Sequence, residues 1–400
     1  MSETMSRPGM DVEETASGVH PIAGVATSVT AFLGAAAQGP TDEAVPVAGF
    51  EDFTRTFGGL DVRHPMGYAV RDFFANGGTR AVIARLSATP AGAGGALDPA
   101  AYAGDRNART GKYLLDGVDL VNLVCVLGNA RDETVPAAVY SDLLAYCVER
   151  RAFLLVDPPV EWQSDDLLAD PAAHVTALGL TGPGARNAAV FYPRILAADP
   201  QRDGQVDSFP PCGAIAGTMA RTDAVRGVWK AAAGTHAGLV GTIGLTDDVT
   251  DDQDAALDRV AVNALRNLPG IGPVAWGART LAGADQAADP YEYVPVRRTA
   301  LFLEQSLSRG LEWVVFEPND EPLWAQIRLD VGAFLQTFFR QGAFQGRTTA
   351  DAYFVKCDAE TTTQDDIDRG LVTVVVGFAP LRPAEFVVLR LQQWAGRTPP

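Results

Sequence analysis

The spacing of apolar residues divides this chain into short runs of two kinds. Residues 25–33, 81–86, 120–127, 153–156 and 188–192 are brief β-branched or continuously apolar stretches bounded by turn formers, the pattern of buried strands. Residues 50–57, 65–74 and 137–150 carry helical patterning, and the first two stop at Gly58-Gly59 and Gly77-Gly78, so helices are predicted there. Strand and helix alternate through the middle of the chain, the rhythm of parallel α/β layers. Residues 88–104 are mostly Ala, Gly and Pro and are expected to form a loop at a unit boundary.

The pattern sharpens toward the C-terminus. Val296, Ala300, Leu303 and Leu307 fall at helical spacing up to Gly310, and residues 313–316 are predicted to be a buried strand. Asn319, Asp320, Glu321 and Pro322 then supply acid and a helix-starting proline to a long helix. Leu323, Ile327, Phe334 and Phe338 lie on one side of it, and Gly342 marks its end. Strands are expected at 353–357, 371–378 and 385–394. In the last, Val387, Leu389 and Leu391 alternate with Phe386, Val388, Arg390 and Gln392, so one face is continuously apolar. Residues 1–20 are polar and without periodicity, which suggests an extended arm.

Size and charge narrow the picture. At 400 residues the chain exceeds the ~250 to 300 at which single cores stop growing, so two or three domains are expected. A net charge of −17 opposes binding to phosphate backbones, which excludes nucleic acid as a partner. Cys125, Cys147, Cys212 and Cys357 form no CxxC pair and are expected to be buried, reduced thiols. The charge-free run 22–37 follows Asp11, Glu13 and Glu14 against a single Arg7, without the basic flank of a signal peptide, and it is short for a membrane span. Cytoplasmic assembly without membrane insertion is the expectation.

Candidate chemistry is sparse. His20, His64, His174 and His236 lack metal-ligand spacing, and no GxSxG elbow occurs. The glycines before Lys112 have the wrong spacing for a phosphate loop, and Gly270, Gly272 and Gly277 do not fit a dinucleotide fingerprint. Asp247, Asp248, Asp251, Asp252 and Asp254 lack the glycine and glutamate of a calcium loop and are expected to be a solvated helix start. No cofactor, metal or catalytic residue is expected.

From residue 263 a set of motifs occurs in a recognisable order: Asn263-Ala-Leu-Arg266, Pro269-Gly-Ile-Gly272, Trp276-Gly-Ala-Arg-Thr280, Tyr293-Val-Pro-Val-Arg-Arg298 and Trp313-Val-Val-Phe-Glu-Pro-Asn-Asp-Glu-Pro-Leu-Trp324. Gln341-Gly-Ala-Phe344, Phe354-Val-Lys-Cys357, Thr363-Gln-Asp-Asp-Ile367 and Pro383-Ala-Glu-Phe-Val387-Val388 follow. This region resembles the C-terminal domain of contractile tail sheath proteins. Pro8-Gly9, Val12-Glu13-Glu14, Pro21-Ile22-Ala-Gly-Val25 and Phe32-Leu-Gly34 resemble the N-terminal arm and first strand of the same family, although Met10 and Asp11 stand where a Val-Tyr pair is usual. The motifs span roughly half of the chain, and residues 88–260 match weakly.

The resemblance implies an α/β (mixed α+β) multi-domain subunit: an arm at 1–20, a first core part at 21–87, a non-catalytic subtilisin-like α/β middle domain at 88–260, a C-terminal domain at 261–380 and a strand arm at 381–400. It further implies hexameric rings stacked around an inner tube, with further copies of the chain, the tube, baseplate and terminal cap proteins as partners. The C-terminal arm (Phe386, Val387, Val388, Leu389, Arg390, Leu391) and the N-terminal arm (Pro8, Gly9, Val12, Glu13, Glu14) are its expected subunit contacts. Arg328 and Arg340, on the long helix, are its expected tube contacts. Three alternatives stay open: the sheath of a true phage tail, a subtilisin-like or α/β hydrolase, and the two-protein sheath of a type VI secretion system, the last disfavoured because both arms occur on one chain.

Overall fold

The computed structural model describes residues 20–86, 98–285, 289–381 and 387–395. Its strands are β1 (Thr30–Gly34), β2 (Val45–Val47), β3 (Ala81–Arg85), β4 (Leu123–Val126), β5 (Phe153–Val156), β6 (Ala188–Tyr192), β7 (Ile195–Asp199), β8 (Gln205–Phe209), β9 (Gly244–Leu245), β10 (Val262–Leu268), β11 (Gly272–Ala275), β12 (Tyr353–Lys356), β13 (Leu371–Phe378) and β14 (Val387–Trp394). The helices are α1 (Phe50–Phe57), α2 (Met66–Ala75), α3 (Pro99–Ala103), α4 (Ala137–Glu149), α5 (Ser164–Ala169), α6 (Pro171–Ala177), α7 (Cys212–Arg226), α8 (Asp251–Arg259), α9 (Val294–Gly310), α10 (Glu321–Arg340), α11 (Thr349–Ala352) and α12 (Gln364–Arg369).

One eight-stranded sheet, in the order β11-β10-β6-β5-β4-β1-β3-β2, organises the described residues up to Ala275. Its six inner strands run parallel, and β2 and β11 add antiparallel edges. A sheet covered on both faces needs strands apolar on both sides, which is why β4 and β5 are unbroken apolar runs. Val124, Val126, Leu154 and Val156 point to the core under α4, whereas Leu123, Cys125, Phe153 and Leu155 point to the core under α2 and α7. The boundaries expected at 87/88 and 260/261 both fall inside this sheet, because β10 and β11 pair with β6 and with each other.

The helices α2 and α7 cross with almost no side chain between them. A Cβ on Gly213 would lie 2.1 Å from the Ala69 carbonyl oxygen, and one on Gly217 2.4 Å from that of Phe73. Glycine is required by the closeness of the two backbones.

A second core lies beyond Tyr291. It joins α9 and α10 to the antiparallel sheet β12-β13-β14 through Leu303, Leu307, Ile327, Val331, Leu335, Val374 and Val376. Asp320 caps α10 by accepting from the Leu323 amide at 3.2 Å, as the acid-rich helix start predicted. Thr250 and Gln253 form a capping box at α8, so the aspartates there are a helix start. A small antiparallel sheet, β8-β7-β9, flanks the first core.

Three sequence expectations change. Residues 312–316 form a 3₁₀ turn with Phe316 84% exposed, not a buried strand: four apolar residues directly after a helix are too few for composition to tell the two apart. Residues 99–103 are helical rather than loop, started by Asp98 and Pro99. The strand expected from residue 25 begins at Thr30, because residues 22–27 run along α9, where Val25 donates to Ser306 Oγ at 3.1 Å.

Gly213→Ala should lower stability by about 1 to 3 kcal/mol through overpacking. Gly332→Ala, on α10 with nothing within 4 Å of the new methyl, should raise it by about 0.5 to 1 kcal/mol. Urea unfolding midpoints of the two variants check both signs.

Candidate assembly interface

The terminal strand is the first element to consider. Its eight residues pair antiparallel with β13, from Val387 opposite Phe378 to Trp394 opposite Leu371. Val387, Leu389 and Leu391 are buried and Val388, Arg390 and Gln392 face outward, as the alternation predicted. The strand docks within its own chain, and its other edge pairs with no strand among the described residues. Beside it runs α9, whose Ser308 carbonyl accepts from Gln393 Nε2 at 2.9 Å. Phe386 and the arm residues Pro8, Gly9, Val12, Glu13 and Glu14 lie outside the described residues.

Helix α9 ties the two cores together by its polar face. Arg298 donates to both oxygens of Asp223 on α7, at 3.0 and 2.6 Å, and to the Thr27 carbonyl at 2.9 Å. Thr27 Oγ1 donates to the same carboxylate at 2.6 Å. Both charged side chains are 5% exposed, so each is solvated by the other and by Thr27 in place of water. Arg297 donates to Asn187 at 2.9 Å, Gln305 to the Arg151 carbonyl at 3.0 Å and Arg309 to Asp119 at 2.7 Å. Sequence reading missed this junction: the partners are 75 to 271 residues apart, and no local pattern marks them.

The outward face of α10 carries Ala325, Leu329, Ala333, Thr337 and Arg340, one stripe at three- and four-residue spacing, with Leu329 57% exposed. Arg340 makes no ion pair among the described residues. Arg328, by contrast, is held inside its own unit, donating to the Cys357 carbonyl and to Glu321 at 2.7 Å. The two arginines expected to act together therefore differ: one braces the helix, the other faces solvent.

The carboxyl ends of β4 and β5 are where a doubly wound sheet ordinarily carries a ligand. Here the space is a cavity of about 20 Å³, room for roughly one water. Cys212 and Cys125 sit beneath it, and burial raises both thiols above their usual range, so neither is poised as a nucleophile. Asp157 accepts from the Cys212 amide at 2.8 Å, and burial pushes its carboxyl up to about 6. Among the described residues no group of three His, Cys, Asp or Glu side chains could hold a metal, and no helix is long and apolar enough to cross a membrane.

Two predictions follow from these buried charges. Arg298→Gln leaves Asp223 buried without its countercharge and should cost about 3 to 5 kcal/mol, with proteolysis opening near residue 27 before global unfolding. Because the Asp157 carboxyl is raised in the folded state, the folded protein gains stability as pH falls through about 6 toward the ordinary carboxylate range. Asp157→Asn removes that gain, so its melting temperature should compare best with wild type at pH 7.5 and progressively worse as pH falls from 6 toward about 4.

Comparison with known proteins places this architecture. The family model for the phage tail sheath C-terminal domain matches residues 286–393. A segment of 181 residues, 45% of this chain, is 27% identical to the tail sheath protein of Enterobacteria phage T4 and spans 26% of that relative's length. Among solved structures, the PVC sheath, from an extracellular contractile injection system in its contracted state, is 27% identical with a TM-score of 0.73, covering 98% of this chain and 99% of that one. The contracted helical sheath of the anti-feeding prophage is 28% identical with a TM-score of 0.70, covering 98% and 100%. The mixed α/β fold, the ordered motifs from Asn263 to Val388 and the end-to-end likeness to these subunits agree: residues 286–393 match the phage tail sheath C-terminal domain, and the chain as a whole is similar to contractile sheath subunits.

Proposed function

We propose that this chain is the structural subunit of a contractile sheath in a phage tail-like injection particle. It polymerises as stacked hexameric rings around an inner tube, on a baseplate and beneath a terminal cap, and its contraction drives the tube through a target envelope. The observation that carries this reading is the likeness along 98% of the chain to sheath subunits of contractile injection systems. The phage relative matches over less than half of the chain, which favours a headless particle over a true phage tail. The role is mechanical and non-catalytic, with no nucleotide hydrolysed. Assembly takes place in the cytoplasm.

The work of contraction is the free-energy difference between two sets of subunit contacts, so the subunits must change neighbours' positions without letting go. A strand exchanged between chains supplies such a tether, since main-chain hydrogen bonds give affinity while the linker stays free to bend. We assign this role to residues 386–391, with β14 leaving its place beside β13 to fill the same place in a neighbour, and a matching role to the arm around Pro8, Gly9, Val12, Glu13 and Glu14. Tube contact falls to α10: Arg340 and the stripe around Leu329 meet the tube, and Arg328 stiffens the helix behind them.

Coexpression with the neighbouring tube gene should give ordered hollow cylinders by negative-stain electron microscopy. Truncation after Pro383 should abolish them; cylinders that survive truncation would keep the sheath and remove the tether, and a monodisperse monomer under every condition would contradict the sheath itself. Arg340→Glu should reduce tube copurification severalfold without changing the melting temperature of the subunit.

A further inference from the structure

Between α9 and the free edge of β14 lies a groove of about 340 Å³ whose lining is strongly cationic. Arg151 enters from the loop before β5, Arg186 from the turn before β6, Arg297 from α9 and Arg390 from β14. Four arginines here meet two carboxylates. Glu304 is shared between Arg297 at 3.4 Å and Arg151 at 3.6 Å, and Asp289 pairs with Arg186 at 2.9 Å. Arg390 has no ion pair within 4 Å among the described residues and feels Asp366 only at longer range. On a chain of net charge −17, this is a local excess of positive charge in a concave site.

The donors are organised as well as numerous. The guanidinium groups of Arg186 and Arg297 stack on the Tyr291 ring at 5.1 and 4.7 Å from its centre, which fixes their planes. Arg186 Nε is buried and has no hydrogen-bond partner among the described residues, a desolvated donor in the wall of the groove. Ser308 adds a hydroxyl to the wall. Because β14 is the last strand of its sheet, alternate amides of its outer edge also turn toward the groove. Fixed guanidinium forks with spare donors suit oxyanions, which they bind bidentately.

We propose that this groove is a binding site for a small multivalent oxyanion of the phosphate class. Such a ligand joins Arg151 and Arg186 of the first core to Arg390 of the terminal strand, so its binding holds β14 in its place within the chain. The site depends on that in-chain position of β14 and not on polymerisation, so it stands or falls separately from the sheath reading.

Pyrophosphate, titrated calorimetrically into the full-length monomer at constant ionic strength, should bind one to one. It should raise the melting temperature saturably and slow amide exchange across residues 387–394. Arg390→Gln and Arg151→Gln, both at solvent-exposed positions, should each weaken binding about tenfold, the loss of one charge-assisted contact. Arg340→Gln, outside the groove, should leave it unchanged, and circular dichroism of each variant checks that the fold is kept. Equal binding by wild type and the Arg151→Gln/Arg390→Gln double variant, or a response to pyrophosphate no larger than to chloride at matched ionic strength, would overturn the proposal. So would tighter capture of a peptide of residues 8–17 at the same arginines, which would make the occupant a carboxylate-bearing segment.

Discussion

The C-terminal core is closed by a strand made of the last residues of the chain, and much else in the molecule depends on that. Without β14, the inner face of β13 loses Val387, Leu389 and Leu391, a contribution on the order of 4 to 9 kcal/mol if each side chain is fully buried. The ladder to β13 adds backbone pairing along eight positions. In the proposed assembly a neighbouring chain supplies this strand, since alternation and main chain rather than connectivity fit it to β13. That indifference makes a movable polymer physically reasonable.

The opposite end of the molecule is built for rigidity. The eight-stranded sheet, the glycine-mediated crossing of α2 and α7 and the buried Arg298–Asp223 pair leave little freedom between the first core and α9. A load on one side of this body is therefore passed through it with little internal give. In the proposed assembly, movement falls instead to the exchange of β14. The same division explains why the crest of the sheet, the usual home of catalysis in doubly wound folds, is packed shut around Asp157.

Much of this architecture was legible in the sequence because local signals agreed. Phe50–Phe57, Phe153–Val156, Ala188–Tyr192 and Leu371–Phe378 lie where apolar patterning and flanking turn residues put them. The outward and inward sides of β14 follow from period-two alternation. Local pattern gave way where the deciding contact was distant. Residues 25–27 have strand-like composition but lie along α9, and 313–316 wind into a turn in which His20 stacks on Trp313 at 4.1 Å and Phe316 lies outside. The expected domain boundaries missed the continuity of the sheet for the same reason: pairing of β10 with β6 joins residues some seventy positions apart. Arg328 and Arg340 looked alike in sequence, and only the Cys357 carbonyl and Glu321 separate them.

The central claim is that the terminal strand changes chains when the particle forms. Val375 and Arg390 are opposite each other on β13 and β14, on the face away from the core, and a disulfide between cysteines there would lock the strand in place. The four native cysteines are buried and leave such a bridge undisturbed. The decisive experiment compares the oxidised Val375→Cys/Arg390→Cys double variant with a mixture of the two single variants. The account predicts that the locked double variant stays out of cylinders until reduced, and that the mixture cross-links between chains only once cylinders have formed. Locked subunits that assemble and contract like wild type would mean that β14 never leaves its own chain.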